Sequence, residues 1–470
     1  MTVADDTDPV TTFLLPAEPV TSVEQYIEQH GGSRGIERAV SIGREATIEE
    51  IRQSGLRGRG GAGFPTGRKW ATIANQNGGR HYVVCNGAEG EPGAFKDRTL
   101  MRRNPYQLVE GLIVAAYAVD AVDAYIACKA SFREEIDALT RAIRELQDAG
   151  ICRDCAVQIV SGPEEYLFGE EKALLEVIEG RAPLPRLLPP FEVGLFASVP
   201  ESGWEAGAPG GSMDDANPTL VNNVETLSNV PHILAQGAEW FRTMGTAQSP
   251  GTQVCTVVGD VVAPSVEEIE LGTPLSAVIE YVGGGVAPGR QVKAVFSGVS
   301  NRVVTGDQLE TPLSYEGFQA IGSGMGAAGF IVYDDSACMV EVARLFSRFL
   351  YVESCGQCSP CKLGSGEITD RLTEIEGGAG ENTTVAAIQG WLGRVTDGNR
   401  CYLAVQERDV VESVLLAFPD EFAEHIDGGA CPRPRVIPLP RIVDLKGSSV
   451  VYDDAYYRKQ PDWTYVDAPT

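Results

Sequence analysis

The cysteine set Cys355-Gly-Gln-Cys358-Ser-Pro-Cys361, with Cys401 further along, constrains this chain more than any other feature. Three thiolates at C-x2-C-x2-C spacing reach three irons of one cubane, and a distant fourth closes the cage. The competing reading is a structural zinc site. Zinc sites assemble from two C-x2-C pairs or from cysteine plus histidine, and the nearest downstream histidine, His425, has only Cys431 close to it in sequence. The spacing favours a [4Fe–4S] cluster and therefore an electron carrier. Pro360 is expected to stiffen a loop that wraps the cluster rather than continue a helix.

Composition narrows the rest. At 470 residues the chain holds several domains, and no apolar run reaches the length of a membrane span. The acidic start, Met1 to Asp8, is unlike a leader peptide, so the expectation is a soluble, cytoplasmic protein. Eleven cysteines in such a chain read as metal ligands and free thiols. The pair Cys152 and Cys155 has redox-motif spacing without the surroundings that would make it a redox site. A net charge of −27 argues against nucleic-acid binding. Eight lysines and thirty arginines stand against 65 acidic residues, a balance suited to a salty, halophilic cytoplasm.

The first forty or so residues have little periodicity and read as an extension packed on the main body. Beyond Ile48, apolar runs at 81–86, 124–128 and 157–160 alternate with helical spacing such as Ile136, Leu139, Ile143 and Leu146, which argues an α/β layer around a mainly parallel sheet. The stretch 181–211 is too rich in Pro and Gly for regular structure and reads as a functional loop. Short strands at 254–258 and 292–296 flank a helix from Leu275 to Tyr281. Val342, Leu345, Phe346, Phe349 and Leu350 then mark one face of a helix, with the cluster cysteines in the loop that leaves it. Pro432 to Pro440 marks a tail laid along the surface.

Two loops carry further chemistry. In Gly55 to Trp70 the glycines let backbone N–H groups approach a phosphate, and Arg57, Arg59 and Lys69 supply charge. The loop fits neither the Walker A pattern nor the dinucleotide fingerprint, so a flexible hinge competes with a nucleotide or flavin site. The 81–86 strand runs into Asn86-Gly-Ala-Glu89-Gly-Glu91-Pro-Gly93 at a strand C-terminus, where α/β proteins place ligands.

In order, Gly58 to Trp70, Asn86 to Arg98, Gly169-Glu170-Glu171, Asn222-Asn223-Val-Glu-Thr226 and Glu353-Ser-Cys355 resemble the NADH-binding flavoprotein subunit of respiratory complex I, the NADH-quinone oxidoreductase. The same module serves NAD-linked hydrogenases and formate dehydrogenases. The resemblance implies an α/β FMN domain, then a ubiquitin-like β-grasp (SLBB) domain and an all-α iron–sulfur bundle. Its boundaries would be an extension at 1–44, the FMN/NADH domain at 45–245, the SLBB domain at 250–332, the cluster domain at 336–430 and a tail at 431–470.

By the same resemblance, FMN meets Gly58, Arg59, Gly60, Lys69, Asn86, Gly169, Asn222, Asn223 and Thr226, with Gly61, Gly63 and Glu89 completing the cofactor set. NAD(H) meets Phe64, Glu91, Glu170 and Glu171, with Phe191 as an aromatic wall. Hydride transfer needs orientation rather than acid–base residues, so Glu91, Glu170 and Glu171 are orienting groups and none is catalytic. The [4Fe–4S] ligands are Cys355, Cys358, Cys361 and Cys401. A small thioredoxin-like [2Fe–2S] subunit and a larger multi-cluster subunit are the implied partners, which would hold the chain peripherally on the cytoplasmic face of the membrane. Three departures stand out: Ala88 replaces an expected Asp, Leu188 an expected Lys, and Thr72 an expected aromatic. The departures raise the alternative of an electron relay with weakened nucleotide binding, and the shared module raises that of a formate dehydrogenase or hydrogenase diaphorase subunit.

Overall fold

A computed structural model describes residues 12–76, 79–152, 155–197, 216–429 and 431–466. The acidic start and the 181–211 loop beyond residue 197 lie outside the described residues. The three apolar runs are the strands β1 (His81–Gly87), β2 (Ala121–Lys129) and β3 (Ala156–Gly162), joined by β4 (Thr219–Asn223). All pair in parallel in the order β3-β2-β1-β4. The chain steps outward from β1 to β3 and then returns to the other side of β1, so the crevice between β1 and β4 is a topological switch point, where open α/β sheets bind ligands. Register sets Asn86 opposite Asn223 and Cys85 opposite Asn222 at the mouth of this crevice.

The N-terminal segment differs from the expectation in one respect. Its described part packs on the body, with Leu14, Val20 and Tyr26 buried, but it is helical rather than irregular: Val23–His30, Arg34–Ile42 and Arg44–Ser54. Capping defines the first, through the Ser22 side chain at one end and left-handed Gly31 at the other, and the second is amphipathic, with Gly35 and Ala39 on its buried face. Buried Glu110 anchors the first two by accepting from the Tyr26 hydroxyl (2.6 Å) and from the N–H groups of Ser33 and Ile36 (both 3.0 Å).

A second sheet is built from β5 (Thr252–Gly259), β6 (Ser265–Glu270), β7 (Val292–Ser297), β8 (Val304–Thr305) and β9 (Gly329–Asp334), in the order β6-β5-β9-β7-β8. Its first and last strands run parallel, its other pairs antiparallel, and the helix Leu275–Gly283 follows its second strand. Buried charge joins this module to the first. Glu225 accepts from the Val254 N–H (2.8 Å) and the Gln253 amide (2.8 Å) while pairing with Lys96 at 2.8 Å. The two backbones also meet at glycine: a Cβ on Gly329 would lie 2.8 Å from the Gly93 carbonyl oxygen.

The helices Met339–Glu353, Ser359–Glu376, Asn382–Leu392, Leu403–Ala417 and Pro419–Gly428 follow. Pro360 sits in the first turn of the second of these, with Cys358 as its N-cap. It therefore starts a helix instead of stiffening a loop, because its fixed φ suits a position whose N–H needs no partner. The tail is not a surface strap either. Ile437 and Leu439 are buried between its prolines, a hairpin forms from Ile442–Lys446 and Ser449–Tyr452, and Tyr456 and Lys459 end 1% exposed. Buried Glu353 draws the tail inward by accepting from Lys459 Nζ (2.9 Å) and the Tyr456 hydroxyl (2.9 Å).

Candidate active site and cluster cage

A cleft of about 910 Å³ opens at the switch point. One wall is the glycine loop, and the structure explains its glycines. Gly63 has φ +61°, and a Cβ there would lie 2.4 Å from the Tyr315 ring. Gly61 has φ +119°. Tyr315 comes from the second module, donates to the Gly58 carbonyl (2.8 Å) and carries the Arg57 guanidinium 4.1 Å above its ring. The loop is thus a bare backbone surface held tightly against its neighbours, where a side chain at Gly63 would strike the Tyr315 ring and one at Gly60 would crowd Asn223 at 3.1 Å.

The residues expected at the nucleotide site line this cleft, except Arg59 and Phe191. Arg59 is fully buried: its guanidinium donates to the Pro250 carbonyl at 3.1 Å and faces Tyr315, while its backbone N–H donates to Thr226 Oγ1 at 2.8 Å. Arg57, two positions past left-handed Gly55, supplies a cation to the cleft instead. Phe191 stands 40% exposed off the cleft. Aromatic rings facing the cleft belong to Phe64, Tyr166, Tyr315 and Tyr402.

The polar side chains are held by one another. Asn86 donates to the Gly169 carbonyl at 2.7 Å, fixing the Tyr166–Gly169 turn against the end of β1. Asn222 accepts from the Trp70 indole at 2.8 Å. Asn223 caps the helix Val224–Gln236 and donates to Asp97 at 2.6 Å. Asn223 and Thr226 therefore bring the positive end of a thirteen-residue helix to the cleft, a natural seat for phosphate.

Carboxylates crowd the other side. Burial and the neighbouring Asp97 push Glu89 up to about 7, although it accepts from the N–H groups of Asp97 and Arg98. Burial likewise pushes Glu170 up to about 7 while it caps the helix Glu171–Ile178. Glu171 pairs with Lys69 at 2.9 Å. Burial raises Glu91, which accepts from the Tyr166 hydroxyl and from the Val299 N–H (2.7 Å). Of the three departures, Ala88 lines the cleft; Thr72 is exposed and bonded to its own helix, and Leu188 lies off the cleft.

Sequence reasoning missed that the second module and the bundle close the cleft. Ser300, Asn301 and Gly324 to Ala327 come from the former, Cys401 to Leu403 and Gln406 from the latter. The glycine density of Gly322 to Gly329 was the available clue.

Cys355, Cys358, Cys361 and Cys401 together line a separate small cavity, with Leu167, Pro185 and Leu403 among its walls. Four sulfurs converging on one apolar cage is the donor set a [4Fe–4S] cluster requires. Burial pushes the Cys361 thiol up to about 11 and Cys401 up to about 12, and a bound cationic cluster would be what holds these sulfurs as thiolates. The Gln357 amide faces Cys355 Sγ at 3.6 Å, and the Ser354 hydroxyl lies 3.4 Å from Cys361 Sγ. Among the described residues, the cysteines at 152 and 155 belong to no such set: the Cys152 thiol points at the Cys155 carbonyl.

Comparisons with known proteins agree with this geometry. Residues 51–232 match the Nuo51 FMN-binding domain family, and residues 341–425 match the NADH-ubiquinone oxidoreductase-F iron-sulfur binding region. The NADH-quinone oxidoreductase F 2 subunit of Rhizobium meliloti (strain 1021) is 38% identical over 417 residues, covering 86% of this chain and 94% of that protein. The NADP-reducing hydrogenase subunit HndC of Solidesulfovibrio fructosivorans is 32% identical over 87% of this chain and 82% of its own length. Among solved structures, an NAD+-reducing [NiFe]-hydrogenase in the air-oxidized state superposes with a TM-score of 0.74 at 29% identity, covering 87% of this chain and 67% of that one. A bare glycine cradle at a helix N-terminus, a cage of four cysteines and these relatives lead to one conclusion: the chain belongs to the family of NADH-quinone oxidoreductase F subunits, oxidoreductase components with an FMN-binding domain and an iron–sulfur region.

Proposed function

We propose that this chain takes electrons from NADH at the cleft and passes them to the cluster cage for delivery to a quinone-linked complex. One observation carries the reading: Leu167, Cys401 and Leu403 line both the cleft and the cage, so the two sites share a wall. Bound FMN would accept a hydride and release electrons singly, and the cluster would relay them. Gly58, Gly60, Gly61, Gly63, Lys69, Asn86, Gly169, Asn222, Asn223 and Thr226 would hold the flavin phosphate and ring system. Phe64, Glu91, Glu170 and Glu171 would orient the nicotinamide nucleotide, and the four cysteines would hold the cluster. Glu91 is itself held by Tyr166 and Val299, so its orientation is fixed before substrate arrives.

The module at 250–332 is assigned as the ubiquitin-like SLBB domain, and the domain boundaries follow those expected from sequence. Its strand order, 2-1-5-3-4 in its own numbering with first and last strands parallel, supports this. A thioredoxin-like [2Fe–2S] subunit and a larger multi-cluster subunit are the proposed partners. Through them the chain would sit peripherally at the cytoplasmic membrane face; among the described residues no helix is long and apolar enough to cross a membrane. The excess of acidic residues supports function in a high-salt cytoplasm.

The hydrogenase relatives favour a second reading, the diaphorase end of an NAD-linked hydrogenase or formate dehydrogenase. The relay reading has less support, because Thr72 and Leu188 lie off the cleft and only Ala88 touches it. The test is an anaerobic sample in high salt, its visible spectrum recorded before and after NADH. Flavin bands that bleach, with a reduced-cluster EPR signal, are expected. A cluster reduced by dithionite but not by NADH, with no flavin band, would overturn the proposal.

A further inference from the structure

We infer that Cys338, His425 and Cys431 form a second metal centre, distinct from the cluster cage, that takes a zinc ion. The three residues come from separate elements. Cys338 is the N-cap of the helix Met339–Glu353, His425 lies in the last turn of Pro419–Gly428, and Cys431 stands where the chain turns into the proline-rich tail. Their ligating atoms all lie within 4.8 Å of one another. Cys338 Sγ and His425 Nε2 are 3.5 Å apart. Zn–S and Zn–N bonds of about 2.3 and 2.0–2.1 Å at a tetrahedral angle put sulfur and nitrogen about 3.5 Å apart, so this pair already has the spacing of a zinc site.

Protonation is arranged to match. His425 is fully buried, and its Nδ1 lies 2.7 Å from the Glu421 carbonyl oxygen, which can only accept. Nδ1 therefore carries the proton and the Nε2 lone pair faces Cys338, the second-sphere arrangement of a metal-binding imidazole. The Arg433 N–H points at Cys431 Sγ from 3.4 Å, which holds that side chain in place. Two thiolates and a neutral imidazole balance the two charges of zinc, so the filled site is neutral in a buried place. Soft sulfur with imidazole selects zinc over magnesium or calcium. Binding sends two thiol protons to solvent and involves no redox change. The Glu421 carboxylate is occupied by the Met339 N–H, Lys293 and Arg433, which leaves the fourth position to water. The ion would clasp the tail's starting point to the first bundle helix.

The competing account is a Cys338 S–H that donates to His425 with no metal. Elemental analysis of the intact, cluster-loaded chain grown with added zinc separates the two. About one zinc per chain beside the cluster iron is expected, and C338S/C431S should lose the zinc while keeping the iron. Zinc at background level in the wild type, or zinc retained by the double variant, overturns the inference. Should the variant fail to fold, zinc X-ray absorption on the wild type decides. Two sulfurs with lighter N/O ligands support the site; an all-sulfur shell places the zinc on the cluster cysteines and refutes it.

Discussion

Lys459→Met should destabilise the protein by about 2–4 kcal/mol, although the residue lies in the tail, far in sequence from either site. Glu353 and Lys459 have side chains 0% and 1% exposed. Lys459 Nζ reaches both carboxylate oxygens, at 2.9 and 3.1 Å. Removing one partner of a buried pair leaves the other charge uncompensated and costs about 3–5 kcal/mol. Arg441, 3.9 Å from the carboxylate, and the Tyr456 hydroxyl and Tyr166 N–H that still donate to it soften the loss, hence the lower range. Burial alone would raise Glu353, but Lys459 and Arg441 outweigh it and hold the carboxyl below its usual range. A depressed carboxyl contributes stability that is complete above its unfolded pKa and lost as pH falls through the folded one. The gap between wild type and variant should therefore be full near neutral pH and narrow below the usual carboxylate pKa of about 4. Denaturant unfolding of the loaded protein measures it. Glu353→Gln combined with Lys459→Met should recover part of the loss, since the neutral amide no longer needs a counter-charge. A gap below about 1 kcal/mol, or a double variant as weak as the single one, would refute this account of the buried pair.

Gly63→Ala should lower flavin content several-fold, because the new methyl meets the Tyr315 ring and the residue must hold a left-handed φ; visible absorbance of the purified variant against wild type reads it. Cys401→Ser should cost the cluster its fourth thiolate and lower iron content while the flavin is retained, a split that metal analysis and absorbance resolve together. Lys129, buried under the loop at Gly90, is pushed down to about 7 mainly by burial. The unfolded chain then binds the extra proton between about pH 7 and 10.4, so this lysine makes stability rise with pH across that window. Lys129→Met should remove that rise, and unfolding curves of both proteins at pH values across the window would compare the slopes.

Local pattern made much of this molecule legible and tertiary contact hid the rest. The strands at β1 to β3 announced themselves as apolar runs, and the cluster cysteines by their spacing. β4 is five residues ending in two asparagines, so it looked like a motif rather than a strand. Arg57 and Arg59 cannot be told apart from sequence, because which one faces the cleft depends on Pro250 and Tyr315, residues far along the chain. Glycine-rich loops and helix caps named the near wall of the cleft; Tyr315, which clamps that wall, and Asn301 and Gln406 on the far wall carry no local signature. The tail misled because prolines usually mark surface segments, while its burial comes from Ile437, Leu439 and one lysine that completes an ion pair.

That ion pair bears on how the two sites stay in register. Glu353 immediately precedes Ser354 and Cys355, so it ends the helix that leads to the first cysteine of the cage. The same carboxylate accepts the Tyr166 N–H at 3.0 Å, and the Tyr166 hydroxyl donates to Glu91 in the cleft and receives the Gln406 amide at 2.8 Å. Gln406 lies in the helix that begins just after Cys401. Tyr166 thus links Glu353, two residues before Cys355, to Glu91 in the cleft and to Gln406, five residues after Cys401, and Lys459 neutralises the charge on Glu353. Electron transfer across a shared wall needs that wall held at fixed thickness. Replacing such a buried network by apolar packing can cost little stability, so its expected effect is on geometry: Tyr166→Phe should alter the spacing around Leu167 and Leu403, read as a changed rate of cluster reduction by NADH, and an unchanged rate would count against the idea.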